Sequence, residues 1–287
     1  MTLNPILRKL GFSPSDRVVI VHADDVGMCQ ATVPAFFELA DRGLVSSGSV
    51  MVPCPWFREA AAEARRHPRA DVGVHLTLTS EWDNYRWGPV TPCDPASGLT
   101  EAEGCFYRAP ALMDRPAAAV VLQEIRSQLC RARAAGIDVT HIDCHMFAML
   151  AHGLARAYVD LGFECSLPVL LTRQPAWVET LTAAALDEWE EHGMPVFDHL
   201  REMPLEQAAG SELDSAKRIF DELQPGLTYL LMHPALDTPE LRAICPDWRH
   251  RVADYEVFGN HELCDHVRRA GIHLIGWRPI RRLMRGD

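Results

Sequence analysis

Apolar positions recur along this chain with two alternating periods. Short, almost unbroken apolar runs fall at residues 17–21, 45–52, 72–78, 139–144, 169–171, 228–232 and 272–275. Runs of that length and composition predict strands buried on both faces. Helical spacing separates several of them. Residues 31–41 place Val33, Phe36, Phe37 and Ala40 on one face and stop at Gly43, a residue that suits a left-handed helix end. Residues 55–67 and 116–135 each begin with proline, which fits a first helical turn, and Gly136 closes the second. Further helices are expected at 177–190, 213–223 and 262–270.

Strand–helix alternation over the whole length predicts seven or eight βα units around a parallel sheet. A linker between two composition regimes is missing, so residues 1–287 are expected to form a single α/β domain, a (β/α) barrel. The doubly wound alternative is weaker. No GxGxxG follows the first strand and no GxxxxGK[ST] occurs. Residues 82–104, rich in Pro, Asp, Gly and aromatics, read as a long functional loop.

Composition narrows the class. Of the 287 residues 48% are hydrophobic and 23% charged, which suits a cored protein, and the formal net charge is −11. That balance argues against nucleic-acid and membrane partners. Lys9 and Lys217 are the only lysines. No apolar run is long enough to cross a membrane, and the first fifteen residues lack the core of a signal peptide. The nine cysteines are scattered and never spaced CxxC, as in a reduced protein. A cytoplasmic protein is expected, and a homodimer fits the usual symmetry of such enzymes.

The chemistry gathers at strand ends. The first strand runs into His22-Ala-Asp-Asp-Val-Gly27, and a helix N-cap would account for one of its two aspartates, Asp24 and Asp25. The third carries His75 in an apolar run, where a ring must bond to something. The fourth supplies His141, Asp143 and His145, which share one face by alternation. A later strand ends at His233-Pro234. Each taken singly has a structural explanation: a cap, a satisfied core histidine, a hydrogen-bonded cluster. Together they converge, because the C-terminal ends of parallel barrel strands meet in space. An oxygen and two imidazoles with an open position match a catalytic metal site, and the ligand types favour zinc over Mg, Mn, Co or Ni. HExxH, HxHxDH and GxSxG are all missing. His22, His67, His152, His192, His199 and His250 carry no recommending spacing and are expected at the surface or behind the site. Alternation turns Cys144 away from the cluster.

The segments His22 to Gly27, Gly73 to Thr79, Thr140 to His145 and Met232 to Ala235 resemble, in order, the four signature blocks of the YdjC-type carbohydrate deacetylases, and the end from Tyr255 to Trp277 is similar too. The resemblance spans roughly residues 18–283. It implies a deformed (β/α) barrel of the polysaccharide-deacetylase type. The implied reaction is metal-dependent hydrolysis of an N-acetyl group on an amino sugar or short oligosaccharide. It also implies that Asp25, His75 and His145 bind one divalent metal ion, Asp24 is the catalytic base and His233 the general acid. His141 and Asp143 match positions behind the ligands that fix ring orientation. The chain departs from the family at His22, commonly asparagine, and at Met146 and Phe147, where further histidines are common. Stretches 80–115 and 172–201 are candidate substrate loops, with Trp82, Tyr85 and Trp87 as candidate stacking residues. A related amide hydrolase or deformylase, and a non-catalytic sugar-binding relative, remain the alternatives.

Overall fold

Strands rich in Val, Ile and Leu need cover on both faces, and seven of them pair, every pair parallel, in one sheet. They are β1 (Arg17–Val26), β2 (Ser47–Val50), β3 (Val72–Leu76), β4 (Val139–Cys144), β5 (His199–Glu202), β6 (Gly226–Met232) and β7 (His273–Leu274). The computed structural model in which they appear describes residues 3–174, 181–204 and 211–287. The bonded order is β4-β3-β2-β1-β6-β5, with β7 on β1. Single parallel bridges, Ile142 to Val169 and Thr172 to Phe197, carry the stretch 169–172 from β4 to the approach of β5. The sheet thereby comes round on itself. β6 occupies one edge of β1; on the other edge β7 pairs with Val18 and Val19, and β2 takes over from His22. The expected (β/α) barrel is present, deformed where β7 wedges in beside β2.

Alternation sorts the side chains. Val19, Val21 and Ala23 of β1, Val72, Val74 and Leu76 of β3, and Ile142 and Cys144 of β4 join the core that packs against the helices. Val18, Ile20, Leu200, Leu227, Tyr229 and Leu231 belong to a second apolar cluster inside the barrel, which Ile6, Leu7, Trp277 and Ile280 complete. The interior therefore starts apolar at the N-terminal ends of the strands. Above that layer the inward positions turn polar: His22, Ser47, Ser49, His75, His141 and Asp143, all buried.

Five of the expected helices appear with nearly the expected bounds: α2 (Thr32–Arg42), α3 (Phe57–Arg66), α4 (Ala118–Ala134), α7 (Glu212–Asp221) and α10 (His261–Arg269). The sixth, expected at 177–190, is α6 (Ala183–Glu191); its residues 177–180 lie outside the described ones. Five more were not legible as helices: α1 (Pro5–Lys9), α5 (Ala155–Cys165), α8 (Pro239–Ile244), α9 (Trp248–Phe258) and α11 (Trp277–Arg285). The buried face of α9 carries Arg251 and Asp254 beside Val257 and Phe258, so it shows no clean apolar stripe. No helix among the described residues is long and apolar enough to cross a membrane.

The two candidate loops differ in kind. Stretch 172–201 contains α6 and the start of β5, so it is partly barrel wall. Stretch 80–115 is irregular but pinned. Glu124, fully buried on α4, accepts from the backbone N–H of Val90 and Thr91 at 2.9 and 3.0 Å. The Trp87 indole donates to Thr79 O, and the Tyr85 hydroxyl to Met28 O. Those two aromatics are committed to packing, whereas Trp82 borders a cavity.

Candidate metal centre

Neighbouring residues on a regular strand point to opposite faces, yet Asp24 and Asp25 both reach one site. The β1–β2 register shifts between Ala23 and Val26, and Asp25 adopts a left-handed φ of 62°. This bulge re-aims the chain at the C-terminal mouth of the barrel. Met146 and Phe147, directly after His145, also have positive φ, at 51° and 52°. Backbone strain of this sort gathers at sites that the surrounding fold over-determines.

Asp25, His75 and His145 come together from β1, β3 and the turn after β4, with one donor atom from each inside a common 4.8 Å. Asp25 Oδ1 lies 3.5 Å from His75 Nε2 and 3.1 Å from His145 Nδ1. It is buried and makes no hydrogen bond. The outer nitrogen of each ring is held by a carboxylate: His75 Nδ1 donates to Asp143 Oδ1 and His145 Nε2 to Glu81 Oε2, each at 2.9 Å. Those bonds turn the inner nitrogen of each ring toward the unbonded oxygen, and a divalent cation that displaced the inner protons would find a fitting donor set there. The other oxygen of Asp25 accepts from Arg251 NH1 at 2.8 Å.

The electrostatics follow from the pairing. Burial pushes the Asp25 carboxyl up, but the charges of His145 and Arg251 outweigh it and hold it well below the usual range. Burial lowers the His75 imidazolium, and Asp143 and Asp24 more than reverse that, so His75 ends well above its ordinary value. His145 is raised to about 9, as Glu81 and Asp25 overcome its burial.

Asp24 and His233 face each other across the same mouth. Asp24 Oδ2 is 3.9 Å from His233 Nε2 and 3.9 Å from His75 Nε2. His233 directly follows β6, its backbone N–H donating to Asp254 Oδ2 of α9 at 2.9 Å. Ala235 N donates to Arg251 O, so α9 holds both the His233 turn and, through Arg251, the Asp25 carboxylate. Burial lowers the His233 imidazolium and lifts the Asp254 carboxyl to about 7.

Asp143 anchors what lies beneath. Besides His75 it accepts from Ser49 Oγ at 2.9 Å and Tyr229 OH at 3.1 Å, with His22 Nε2 at 2.9 Å. His141 sits one layer deeper, stacked on Trp277 with centroids 4.7 Å apart. A second trio, His22, His141 and Asp143, also lies within ligand range. Its His22 and Asp143 are already bonded to each other, which leaves less room for an ion there.

All seven candidate site residues thus line the polar upper part of one barrel. Four others join them: His22, expected at the surface or behind the site, and Glu81, Arg251 and Asp254, which sequence reasoning passed over. His22 is fully buried against Asp24, Asp143 and Ser49; its i, i+2 relation to Asp24 was the available signal. Glu81, Arg251 and Asp254 carried none, since a loop carboxylate and a helix without an apolar stripe look like surface.

The family model described as YdjC-like protein matches residues 18–269. A carbohydrate deacetylase of Thermus thermophilus is 36% identical over 96% of this chain and 98% of its own. Another of that name, from Geobacillus stearothermophilus, is 25% identical over 93% and 99%. Among solved structures, a candidate cellobiose-phosphate cleavage protein of Enterococcus faecalis superimposes with a TM-score of 0.78 at 22% identity, over 92% of this chain and 98% of that one. At that identity the likeness speaks for the fold.

Proposed function

Because the chain belongs to the YdjC-like protein family, we propose that it is a carbohydrate deacetylase, and more narrowly a metal-dependent one. The substrate on this reading is an N-acetylated amino sugar or short oligosaccharide of the chitooligosaccharide type. The observation that carries the metal is Asp25 Oδ1, buried and unbonded between two imidazoles whose outer nitrogens are both fixed by carboxylates. Asp25, His75 and His145 would hold the ion. A divalent cation there supplies Lewis-acid polarisation of the acetyl carbonyl and eases deprotonation of water. Zinc suits the two imidazoles and one carboxylate better than magnesium does.

The remaining steps belong to the chain's own groups. Asp24, at the mouth beside His75, takes the proton from the attacking water. His233 delivers a proton to the departing amine nitrogen, which cannot leave as an anion. Burial makes the charged ring a readier donor than a free imidazolium. Asp143 and His22 keep the floor of the site rigid beneath them, and stretch 80–115, with Trp82 exposed to the cavity beside Glu81, contributes to sugar binding.

The test joins metal analysis of the purified protein to acetate release from N-acetylated mono- and disaccharides, with and without chelator. Stoichiometric metal and chelator-sensitive acetate release are expected. Asp24→Asn should keep the metal and lose turnover by about 10²- to 10⁴-fold. Metal without acetate release from any such sugar would move the substrate to another amide, and near-normal turnover in Asp24→Asn would remove the base assignment.

A further inference from the structure

The two imidazoles of the centre are supported differently. His75 is held by Asp143, which is 1% exposed and locked by Ser49, Tyr229 and His22. His145 is held by Glu81, which is 19% exposed and comes from the stretch after β3. That stretch is firmly placed. Thr77 exchanges two hydrogen bonds with the Gln128 side chain, Ser80 N donates to Tyr107 O, and Trp87 N donates to Ser80 Oγ. Glu81 is therefore presented to His145 by backbone fixed immediately before it. On its other side Glu81 stands in the wall of a cavity of ≈510 Å³, together with Trp82, Arg108, Arg242 and Trp248.

We propose that Glu81 is a positioning residue of the metal centre, acting through His145 and not on substrate. By accepting from Nε2–H it keeps Nδ1 turned toward Asp25 as the nitrogen that would meet the cation, and it stops the ring from turning about its Cβ–Cγ bond. An imidazole held in this way by a carboxylate is a better ligand, and loss of such a partner commonly costs about 10- to 100-fold in metal affinity. The competing role is set by the cavity: a carboxylate in its wall could instead bond a sugar hydroxyl directly. The geometry favours the first, because Glu81 is committed to His145 by a 2.9 Å bond, whereas the more exposed Asn84 turns a hydrogen-bonding side chain to the same cavity.

The inference rests on the metal reading above, and one titration separates the two. Zinc affinity is measured by competition with a chromophoric chelator for the whole chain and for Glu81→Ala, Glu81→Gln and Asp83→Asn, with steady-state kinetics on an N-acetylated disaccharide alongside. Glu81→Ala should bind zinc about 10- to 100-fold more weakly. Glu81→Gln, whose amide oxygen can still accept from Nε2–H, should recover most of that loss, and Asp83→Asn should match the parent in zinc affinity. Once zinc is saturating, KM in Glu81→Gln should stay near the parent value. Unchanged zinc affinity in Glu81→Ala, or an intact affinity with a raised KM in Glu81→Gln, would overturn the positioning role while leaving the metal centre standing. A parent chain that binds no divalent metal would instead remove the centre itself, and this role with it. Circular dichroism of each variant checks that a loss is not one of fold.

Discussion

At the scale of single residues, the site is an exercise in burying charge with partners. Asp25 and Arg251 are both nearly inaccessible and face each other at 2.8 Å, with Arg251 Nε also bonded to Asp247. Removing either would strand the other in a low-dielectric setting. Asp254 is the exception, since its main partner is one backbone N–H and burial lifts it to about 7. A carboxyl whose folded value exceeds its unfolded one holds its proton longer in the native state. Its contribution to stability is full below about pH 4 and is lost as pH rises through 7. The difference in unfolding free energy between the parent and Asp254→Asn should therefore fall by on the order of 4 kcal/mol across that window. Urea denaturation of chelated protein at pH 4, 5.5, 7 and 8 checks it, and a constant difference would mean that Asp254 titrates normally.

At the scale of elements, small residues let functional strands approach what they must touch. Gly73 on β3 faces into the barrel, and a Cβ there would sit 2.4 Å from His141 Nε2. The His141 ring has little freedom to retreat, stacked on Trp277 and bonded to Thr140 Oγ1 at 2.8 Å. Gly73→Ala should thus displace β3 and with it His75, two residues on. The expected cost is about 1–3 kcal/mol in denaturant unfolding, accompanied by weaker zinc binding. Unaltered stability would show that the barrel relaxes around the extra methyl. The pattern of apolar positions located most strands because parallel strands are apolar throughout. It missed β5, where His199, Leu200, Arg201 and Glu202 read as polar loop, because a short wall strand with polar neighbours lacks that signature. It missed α9 for the related reason that a helix serving a charged site buries charges.

At the scale of the whole molecule, the barrel gathers β1, β3, β4, β6 and α9 around one mouth, so filling the centre should stabilise all of them together. With free zinc at 100 times its dissociation constant the gain is about 2.7 kcal/mol, or roughly 4–5 °C in melting temperature for a chain of this size. Thermal unfolding with zinc and with chelator measures it, and Asp25→Asn should abolish the shift. A shift that survives in Asp25→Asn would place the stabilising ion elsewhere, the trios His22, His141, Asp143 and Asp24, His75, Asp143 being the other donor groups among the described residues.

What the sequence by itself determined is the set of chemical parts and their rough order. Strand–helix alternation implied the barrel, and Asp or His at the ends of four strands implied the centre, because both depend on local period and on the rule that parallel strand ends converge. Tertiary structure alone decided the rest. The bulge at Asp25, where the β1–β2 register shifts, brings two adjacent carboxylates to one face, which strict alternation forbids. Glu81, Arg251 and Asp254 become part of the site only once a loop and a distant helix fold over the mouth. Their partners lie from 21 to 226 residues away, and hydrogen bonds over such distances leave no periodic trace in the chain.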